Sequence, residues 1–259
     1  MNNPSSSAAL LSVEQLSLTF GGVQAIADLS LQVQAGEVLA IIGPNGAGKT
    51  SLLNAITRVF DPSGGRILFK GQDLTRLPRQ RIAALGVART FQNIELFESA
   101  TVMDNLLLGR HRFSQGQWWQ QLLRTPALTR LEEEARAEVE AIIDFLDLSP
   151  WRHAVIAGMP YGVRKVVELA RALCTKPELL FLDEPASGLN PEETRDLAFW
   201  IDDIRSELGI TVVMVEHDMS LVSSVADRVI CMAQGRVLAE GTPAQVQNHP
   251  LVIAAYLGA

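Results

Sequence analysis

The sequence is poor in the residue types that mark several other protein classes. Its 259 residues include two cysteines, Cys174 and Cys231, which lie far apart in apolar runs and have no metal-ligand spacing. We therefore expect two reduced core thiols and no disulfide. Basic residues are also in deficit, with 22 Lys and Arg against 29 Asp and Glu and a net charge of −7 at pH 7. An acidic chain with no basic block is a poor candidate for general nucleic-acid binding.

Long apolar runs are missing as well. No stretch approaches the roughly 18 apolar residues that span a bilayer, and the polar, small residues at 1–10 do not have the pattern of a secretory signal. We expect that any membrane-spanning part is supplied by another chain. The content of 47% hydrophobic and 20% charged residues is ordinary for a globular protein. The length of 259 residues suits one large α/β domain or two small ones.

The first part of the chain contains short apolar runs that are separated by turns. The runs at 16–20 and 29–33, on either side of Gly21-Gly22, predict antiparallel strands. The continuous apolar run at 38–42 predicts a strand that is buried on both faces. A glycine-rich turn follows it, and the pattern then predicts a helix over 50–59.

The last part of the chain alternates between strand and helix patterns. Strands that alternate with helices indicate a mainly parallel sheet with right-handed crossovers. The residue before the first of these helices is Pro191, which suits a first helical turn. The predicted strands cover 179–182, 210–215, 229–232 and 236–240, and the predicted helices cover 192–208 and 219–226.

The middle of the chain has few strand signals, and 128–148 has helical spacing. We therefore predict an α/β fold with a mainly parallel sheet, an N-terminal antiparallel β lobe and an inserted helical lobe. The prediction is a single domain over 1–259. Within it, 1–10 is a tail, 11–92 and 166–259 form the α/β core with the β lobe, and 93–165 form the helical lobe.

A phosphate-binding motif follows the first fully buried strand. The segment 43–50, GPNGAGKT, fits the pattern G-x-x-x-x-G-K-[ST] between a predicted strand and a predicted helix. Glycines let backbone N–H groups turn toward phosphates, and the helix N-terminus adds positive potential. Lys49 is expected to reach the β- and γ-phosphates, and the Thr50 hydroxyl to bind Mg²⁺. The predicted nucleotide-binding residues here are Gly43, Pro44, Asn45, Gly46, Ala47, Gly48, Lys49, Thr50 and Ser51.

Two adjacent acids end the predicted strand at 179–182. The strand would place Asp183 at the carboxyl edge of the sheet, beside the phosphate loop, where it can hold the Mg²⁺ shell. Glu184 can orient or deprotonate the attacking water. A nucleotide kinase needs no such water-activating acid, and a GTPase would show an Asn-Lys-x-Asp motif, which this sequence lacks. The two acids therefore favour an ATPase with a P-loop core.

Four further places in the chain add to these motifs: Phe20 and the segments 88–93, 187–190 and 215–218. Together with the phosphate loop and the two acids, they make the chain resemble the nucleotide-binding subunit of ATP-binding-cassette transporters from about Val13 onward. The resemblance implies that Gln92 contacts Mg²⁺ or water and that His217 contacts the γ-phosphate. It also places Phe20 under the adenine ring, although a core phenylalanine is nearly as compatible with the sequence. The implied catalytic residues are Glu184, His217, Lys49 and Gln92, and the implied metal ligands are Thr50, Gln92 and Asp183.

The chain departs from the family pattern in the signature segment, 159–163. The family pattern is Leu-Ser-Gly-Gly-Gln, but here Pro160 offers neither a hydroxyl nor an N–H to the ATP held by a partner cassette. The Gly162 N–H and the helix dipole remain available. Loss of one charge-assisted hydrogen bond costs about 1.5–3 kcal/mol, so we expect slow hydrolysis at that site. This favours pairing with a different, intact cassette. Asn190 stands where the family commonly has Asp.

Segments 88–97, 186–193, 235–243 and 255–258 resemble the branched-chain amino acid importer subfamily. This resemblance implies an ATPase subunit on the cytoplasmic face of the inner membrane. Its implied partners are a second cassette of a different sequence, two integral membrane subunits and, indirectly, a periplasmic solute-binding protein, and they include no nucleic acid.

Alternative interpretations of the function are an importer of urea, short amides or another small solute, a soluble cassette ATPase and a regulatory module without hydrolysis. The paired Trp118 and Trp119 either dock on a membrane subunit or pack within the helical lobe. Three further histidines, His111, His153 and His249, match no motif.

Overall fold

The computed structural model describes residues 9–90, 94–110 and 126–257, with the backbone alone at 126–129. Its strands are β1 (Leu11–Phe20), β2 (Val23–Val33), β3 (Val38–Ile42), β4 (Gly64–Phe69), β5 (Gln72–Asp73), β6 (Val87–Arg89), β7 (Leu179–Asp183), β8 (Thr211–Val215), β9 (Arg228–Ala233) and β10 (Arg236–Gly241). Its helices are α1 (Lys49–Ile56), α2 (Gln80–Ala84), α3 (Val102–Arg110), α4 (Pro126–Phe145), α5 (Tyr161–Leu173), α6 (Pro191–Ser206), α7 (Met219–Val225), α8 (Pro243–Gln247) and α9 (Pro250–Leu257). Short 3₁₀ turns cover Leu74–Arg76, Ser149–Trp151 and Ile156–Gly158.

The N-terminal strands form an antiparallel sheet in the order β2-β1-β4-β5. Phe20 pairs with Val23 across the two-residue turn of Gly21 and Gly22, and both glycines have positive φ, 50° and 90°. Tight hairpin turns require such angles, which glycine adopts without steric cost. The predicted antiparallel β lobe is therefore confirmed.

The second sheet has the order β10-β9-β3-β8-β7-β6. Every pair in it is parallel except β9 with β10, which pair antiparallel. All residues of β3, β7 and β8 are buried. This confirms the prediction that the strand at 38–42 is buried on both faces. Because parallel strands end at the same edge, the sheet gathers at that edge the segments that follow β3, β7 and β8.

Two apolar cores lie on opposite faces of this sheet. Alternate residues of β3 face them: Val38, Ala40 and Ile42 belong to one core, and Leu39 and Ile41 to the other. The first core also contains side chains of α3, α4, α5 and α6, and the second contains side chains of α1 and the antiparallel sheet. The sheet thus separates a helical layer, which contains α3 to α6, from a β layer, which contains the antiparallel sheet and α1.

Some helix ends differ from the predicted ones because single residues leave the helical conformation. The helix predicted over 50–59 ends at Ile56, since Arg58 adopts a φ of 61° and the N–H groups of Val59 and Phe60 turn back to the Asn54 carbonyl. The helix predicted over 128–148 is α4, 126–145, and Asp147 has a φ of 55°.

The helices α3, α4 and α5 pack together, and α5 runs without a break across the predicted boundary between residues 165 and 166. The division into a core and a helical lobe at 93 and 165 stays a prediction. Among the residues that the structure describes, no helix combines the length and apolarity needed to cross a membrane.

Candidate active site

The phosphate loop, 43–50, joins β3 to α1 and lies directly on the backbone of neighbouring strands. A Cβ atom at Gly43 would be 2.1 Å from the Met232 carbonyl oxygen, and one at Gly48 would be 2.5 Å from the Ala25 carbonyl oxygen. Both glycines also have positive φ, 147° and 99°. A side chain at either position would therefore meet fixed backbone and a strained conformation.

Main-chain hydrogen bonds fasten the loop to the β layer. The Gly235 N–H donates to the Ala47 carbonyl at 2.9 Å, and the Ala27 N–H donates to the Gly235 carbonyl at 2.9 Å. The turn between β9 and β10 thus connects β2 with the phosphate loop. The loop's position is set by backbone groups of three separate segments.

The side chain of Lys49 is buried within the loop. Its Nζ donates to the carbonyl oxygens of Gly43, at 2.7 Å, and Pro44, at 3.0 Å. Burial lowers the pKa of Lys49, while the nearby Glu184, Cys231 and Asp183 act in the opposite direction. The loop thus holds a cation close to two carboxylates.

Asn45, Gly46 and Thr50 are exposed on the same loop, whereas Ser51 is half-buried. Thr50 and Ser51 lie in the first turn of α1. The exposed Thr50 places the hydroxyl predicted to bind Mg²⁺ at the accessible side of the loop.

Asp183 ends β7 and is almost completely buried. Its Oδ2 accepts a hydrogen bond of 2.6 Å from Arg89 Nη2, and Arg89 also donates to Asn54 Oδ1 at 2.7 Å and to Thr57 Oγ1 at 3.2 Å. The Asp183 Oδ1 has no hydrogen-bond partner among the described residues. A buried carboxylate oxygen without a hydrogen-bond partner is suited to bind a cation.

The donor set fits Mg²⁺, which prefers oxygen ligands and keeps water and phosphate oxygens in its shell. Asp183 Oδ1 and the Thr50 hydroxyl are such oxygens. Within the described parts of the chain, no group of three or more His, Cys, Asp or Glu side chains could hold a metal ion alone. A cation here would therefore take its remaining ligands from nucleotide and water. Gln92, the third predicted ligand, lies outside the described residues.

Glu184 follows Asp183 in an uncommon backbone conformation, with a φ of 49°. Its N–H donates to the Val215 carbonyl at 2.9 Å, and its own carbonyl accepts from Lys165 Nζ at 3.0 Å. Left-handed angles at a residue other than glycine persist where the surrounding structure enforces them. The site therefore contains a carboxylate whose backbone is held from two sides.

His217, which the resemblance predicts to contact the γ-phosphate, comes after β8, and its side chain is 62% exposed. The preceding residue, Glu216, is completely buried and received no role in the sequence analysis. Glu216 accepts hydrogen bonds from the N–H groups of Ala186, His217 and Asp218. A charged residue directly after a buried apolar strand was the signal that could have indicated it.

The signature segment lies at the start of α5. Pro160 is the N-cap residue, with no side-chain cap, and the Gly162 position faces Glu193: a Cβ there would be 2.2 Å from Glu193 Oε1. Gly162, Lys165 and Asp183 line the same cavity of about 500 Å³ between α5, α6 and β7. Within one chain, the structure therefore brings the predicted signature glycine, Gly162, to the same cavity as Asp183 at the carboxyl end of β7.

Two further aromatic residues are Phe20, which the resemblance placed under the adenine ring, and Tyr256 in α9. Phe20 is 41% exposed and forms an edge-to-face pair with Phe60, with ring centroids 4.9 Å apart, so it is not a core residue. Burial raises the pKa of the Tyr256 hydroxyl, against a hydrogen bond with the Gly43 backbone that lowers it. Sequence analysis missed this contact between α9 and the phosphate loop. Trp118, Trp119 and His111 lie outside the described residues.

Comparisons with protein-family models match two parts of the chain. Residues 26–187 match the family described as ABC transporter, and residues 236–259 match the one described as branched-chain amino acid ATP-binding cassette transporter. The first match includes the phosphate loop, Asp183 and Glu184.

Curated relatives cover almost the whole chain. It is 42% identical over 252 residues to the high-affinity branched-chain amino acid transport ATP-binding protein BraF of Pseudomonas aeruginosa and, equally, to LivG of Escherichia coli K12. Each alignment covers 97% of this chain and 99% of the relative. The similarity therefore extends over nearly the full length of this chain and of both relatives.

Solved structures show the same fold. A nucleotide-free ATP-binding cassette from an ABC transporter is 30% identical, with a TM-score of 0.84, and the match covers 97% of this chain and 100% of that one. An ATP-binding cassette of an ABC transporter in its ADP conformation is also 30% identical, with a TM-score of 0.85 and coverage of 98% and 100%. The predicted fold class is confirmed.

Proposed function

The chain belongs to the ABC transporter family, and from this premise we propose that it is the ATP-hydrolysing cassette of an importer for branched-chain amino acids. The observation that carries the proposal is the edge of the parallel sheet. There the phosphate loop, the acids Asp183 and Glu184, and His217 follow the neighbouring strands β3, β7 and β8. The similarity of residues 236–259 to the branched-chain amino acid cassettes supports the choice of solute.

The residues at this edge can perform hydrolysis as follows. The backbone N–H groups of the phosphate loop bind the phosphates of ATP, and the Lys49 ammonium compensates negative charge that develops on the γ-phosphoryl group. The carboxylate of Glu184 accepts a proton from a water that attacks the γ-phosphorus in line, and ADP leaves. His217 orients the water and γ-phosphate. Thr50 and Asp183, with Gln92, would hold Mg²⁺, which would neutralise negative charge that develops on the phosphates.

Hydrolysis serves a conformational cycle in this proposal. Two cassettes enclose ATP between the phosphate loop of one and the signature segment of the other, so that nucleotide binding closes the pair. Closure then moves two integral membrane subunits that the cassettes contact from the cytoplasmic face of the membrane. A solute-binding protein delivers the amino acid. The second cassette is a different chain with an intact signature segment.

Replacement of Glu184 by Gln tests the assignment of the catalytic base. The amide keeps the size of the side chain but cannot accept the proton, so Glu184→Gln should lower the hydrolysis rate by roughly 10²–10⁴-fold while ATP binding is retained. Phosphate release and equilibrium binding of ATP are measured on the same preparations. Glu207→Gln, an exposed acid after α6, is the matched control and should hydrolyse ATP at the normal rate. Normal turnover in the Glu184 variant would contradict the proposal.

The partners are tested by copurification. The chain is tagged in its native cell, the membranes are solubilised gently with ATP and Mg²⁺, and the masses of the copurified chains are determined. Two membrane subunits and a second cassette are expected. Recovery from the soluble fraction without any membrane protein would favour a soluble cassette ATPase.

A further inference from the structure

The segment that carries Glu184 is held from two sides by buried charged groups that no motif includes. We propose that Lys165 and Glu216 are positioning residues that fix the orientation of the Glu184 carboxylate toward the attacking water. The inference rests on the proposed role of Glu184 as catalytic base and adds two residues to it.

Lys165 holds the segment from the side of α5. Its Nζ lies at hydrogen-bond distance from two successive carbonyl oxygens, 3.0 Å from Glu184 O and 3.4 Å from Pro185 O. The residue is 9% exposed, and a buried ammonium needs acceptors of this kind. Its contact with the carbonyl of Glu184 fixes the peptide group between Glu184 and Pro185.

Glu216 holds the same segment from the side of β8. Its Oε1 accepts from the Ala186 N–H at 2.8 Å, and its Oε2 accepts from the N–H groups of His217, at 2.8 Å, and Asp218, at 3.1 Å. One carboxylate thus connects the backbone after β7 with the backbone after β8. Because these hydrogen bonds are charge-assisted and the Glu216 carboxylate is completely buried, they resist exchange with water.

These contacts matter because the backbone conformation of Glu184 is strained. A φ of 49° is unfavourable for glutamate, and relaxation to a common conformation would turn the side chain away from its present direction. Lys165 and Glu216 fix the two peptide groups that follow Glu184, and the Val215 carbonyl fixes the one before it. The strained residue is therefore enclosed by contacts on both sides along the chain.

Lys165 also relates the base to the signature segment. Gly162 and Lys165 are three residues apart on α5, so they lie on the same face about one helical turn apart. If α5 shifts when the partner's nucleotide reaches the signature segment, Lys165 would shift with it. The hydrogen bond that Lys165 donates to the Glu184 carbonyl would then change. This gives the proposed pair of cassettes a direct connection between the signature segment and the base within one chain.

The test measures the kinetics of Lys165→Met and Glu216→Gln in the full chain, within the complex purified from its native membranes. Misplacement of a catalytic group by about 1 Å costs up to roughly 10²-fold in rate. We expect kcat for ATP hydrolysis to fall by about 10- to 100-fold, whereas KM and the equilibrium affinity for ATP stay within about twofold. Lys165→Arg, which keeps a donor for the two carbonyls, should recover part of kcat. Lys176→Met, an exposed lysine after the same helix, is the matched control.

A second measurement separates positioning from general damage. If Lys165 acts through Glu184, Lys165→Met should leave the residual rate of the Glu184→Gln variant unchanged, because effects on one group are not additive. An isosteric Glu216→Gln variant provides the same comparison should Lys165→Met fail to fold, as judged by thermal unfolding. An unchanged kcat in folded Lys165 and Glu216 variants, or an equal loss of ATP affinity, would overturn the inference. If Glu184→Gln itself turns over normally, the proposed function fails instead.

Discussion

At the scale of single residues, the ion pair between Arg89 and Asp183 is the most enclosed charge contact of the described site. Both side chains are buried, at 7% and 2% exposure, and the contact measures 2.6 Å. Arg89 also reaches Asn54 and Thr57 of the segment that follows the phosphate loop. One guanidinium therefore joins β6, α1 and the end of β7.

Removal of this guanidinium should destabilise the protein. Arg89→Met leaves the buried Asp183 carboxylate without its cation, and breaking a buried pair in this way costs about 3–5 kcal/mol in the free energy of unfolding. Urea denaturation of the purified chain measures the loss. Arg66→Met, which breaks an exposed pair with Glu14, should cost at most about 1 kcal/mol. If Arg89→Met lowered the free energy of unfolding no more than Arg66→Met does, the buried pair would not stabilise the fold.

The sequence predicted the residues of the site that belong to local patterns and missed those that depend on sheet order. The phosphate loop and the acids after β7 each follow a recognisable buried strand, and parallel strands bring such ends together. The contacts of Lys165, Glu216 and Arg89 arise only because β6, β7 and β8 are neighbours and α5 packs beneath them. No local spacing carries that information. The roles assigned to Gln92 and Phe20 stay predictions.

At the scale of elements, the start of α6 shows what Asn190 does at the position where the family commonly has Asp. Its side chain accepts from the N–H groups of Glu192, at 2.9 Å, and Glu193, at 3.0 Å, while Glu193 Oε2 accepts from the Asn190 N–H at 2.8 Å. This is a capping box, which satisfies free backbone donors in the first turn. Asn and Asp are comparable in this role, so the departure from the family pattern leaves the helix start intact.

The cap predicts a clear difference between two substitutions. Asn190→Ala removes the acceptor and should lower the free energy of unfolding by about 1 kcal/mol, whereas Asn190→Asp should be nearly neutral. Chemical denaturation of both variants beside the unaltered chain measures this. A neutral alanine variant would mean that α6 is fixed by packing alone and that the cap contributes nothing.

Helix boundaries were the least predictable feature of the elements. Arg58 and Asp147 adopt left-handed angles just beyond α1 and α4, although neither residue is glycine. Their conformations follow from the chain's return toward β4 and toward the 3₁₀ turn at Ser149–Trp151, which are tertiary effects. The positions of the buried strands, in contrast, were predicted closely because a run of apolar residues between turns has few other interpretations.

At the scale of the whole molecule, Pro160 bears on how two cassettes share their nucleotides. As the N-cap residue of α5 it offers no hydroxyl. In the proposed pair, the ATP bound to the partner's phosphate loop loses one charge-assisted hydrogen bond, which is worth about 1.5–3 kcal/mol. A pair of two identical chains would carry this loss at both sites, and a mixed pair at one.

Pro160→Ser should therefore raise hydrolysis by the purified homodimer by about tenfold or more, the rate equivalent of that free energy. Steady-state phosphate release measures the change. The same substitution combined with Glu184→Gln should give no increase, because the base is then missing at both sites. Rapid hydrolysis by the unaltered homodimer, or no gain with serine, would count against pairing with a different cassette.

The fastening of the phosphate loop by Gly235, Ala27 and Ala47 has a consequence for how this site can change over generations. The contacts use only N–H and carbonyl groups, so most substitutions at Ala27 or Ala47 that fit the available space leave them in place. Gly235 is the exception, since a Cβ there would be 2.7 Å from the Ala25 carbonyl oxygen. Inherited variation is thus limited by side-chain volume at the buried Ala27 and Ala47 and by the neighbouring backbone at Gly235. A saturation library of 25–27, 43–48 and 235 would display that contrast.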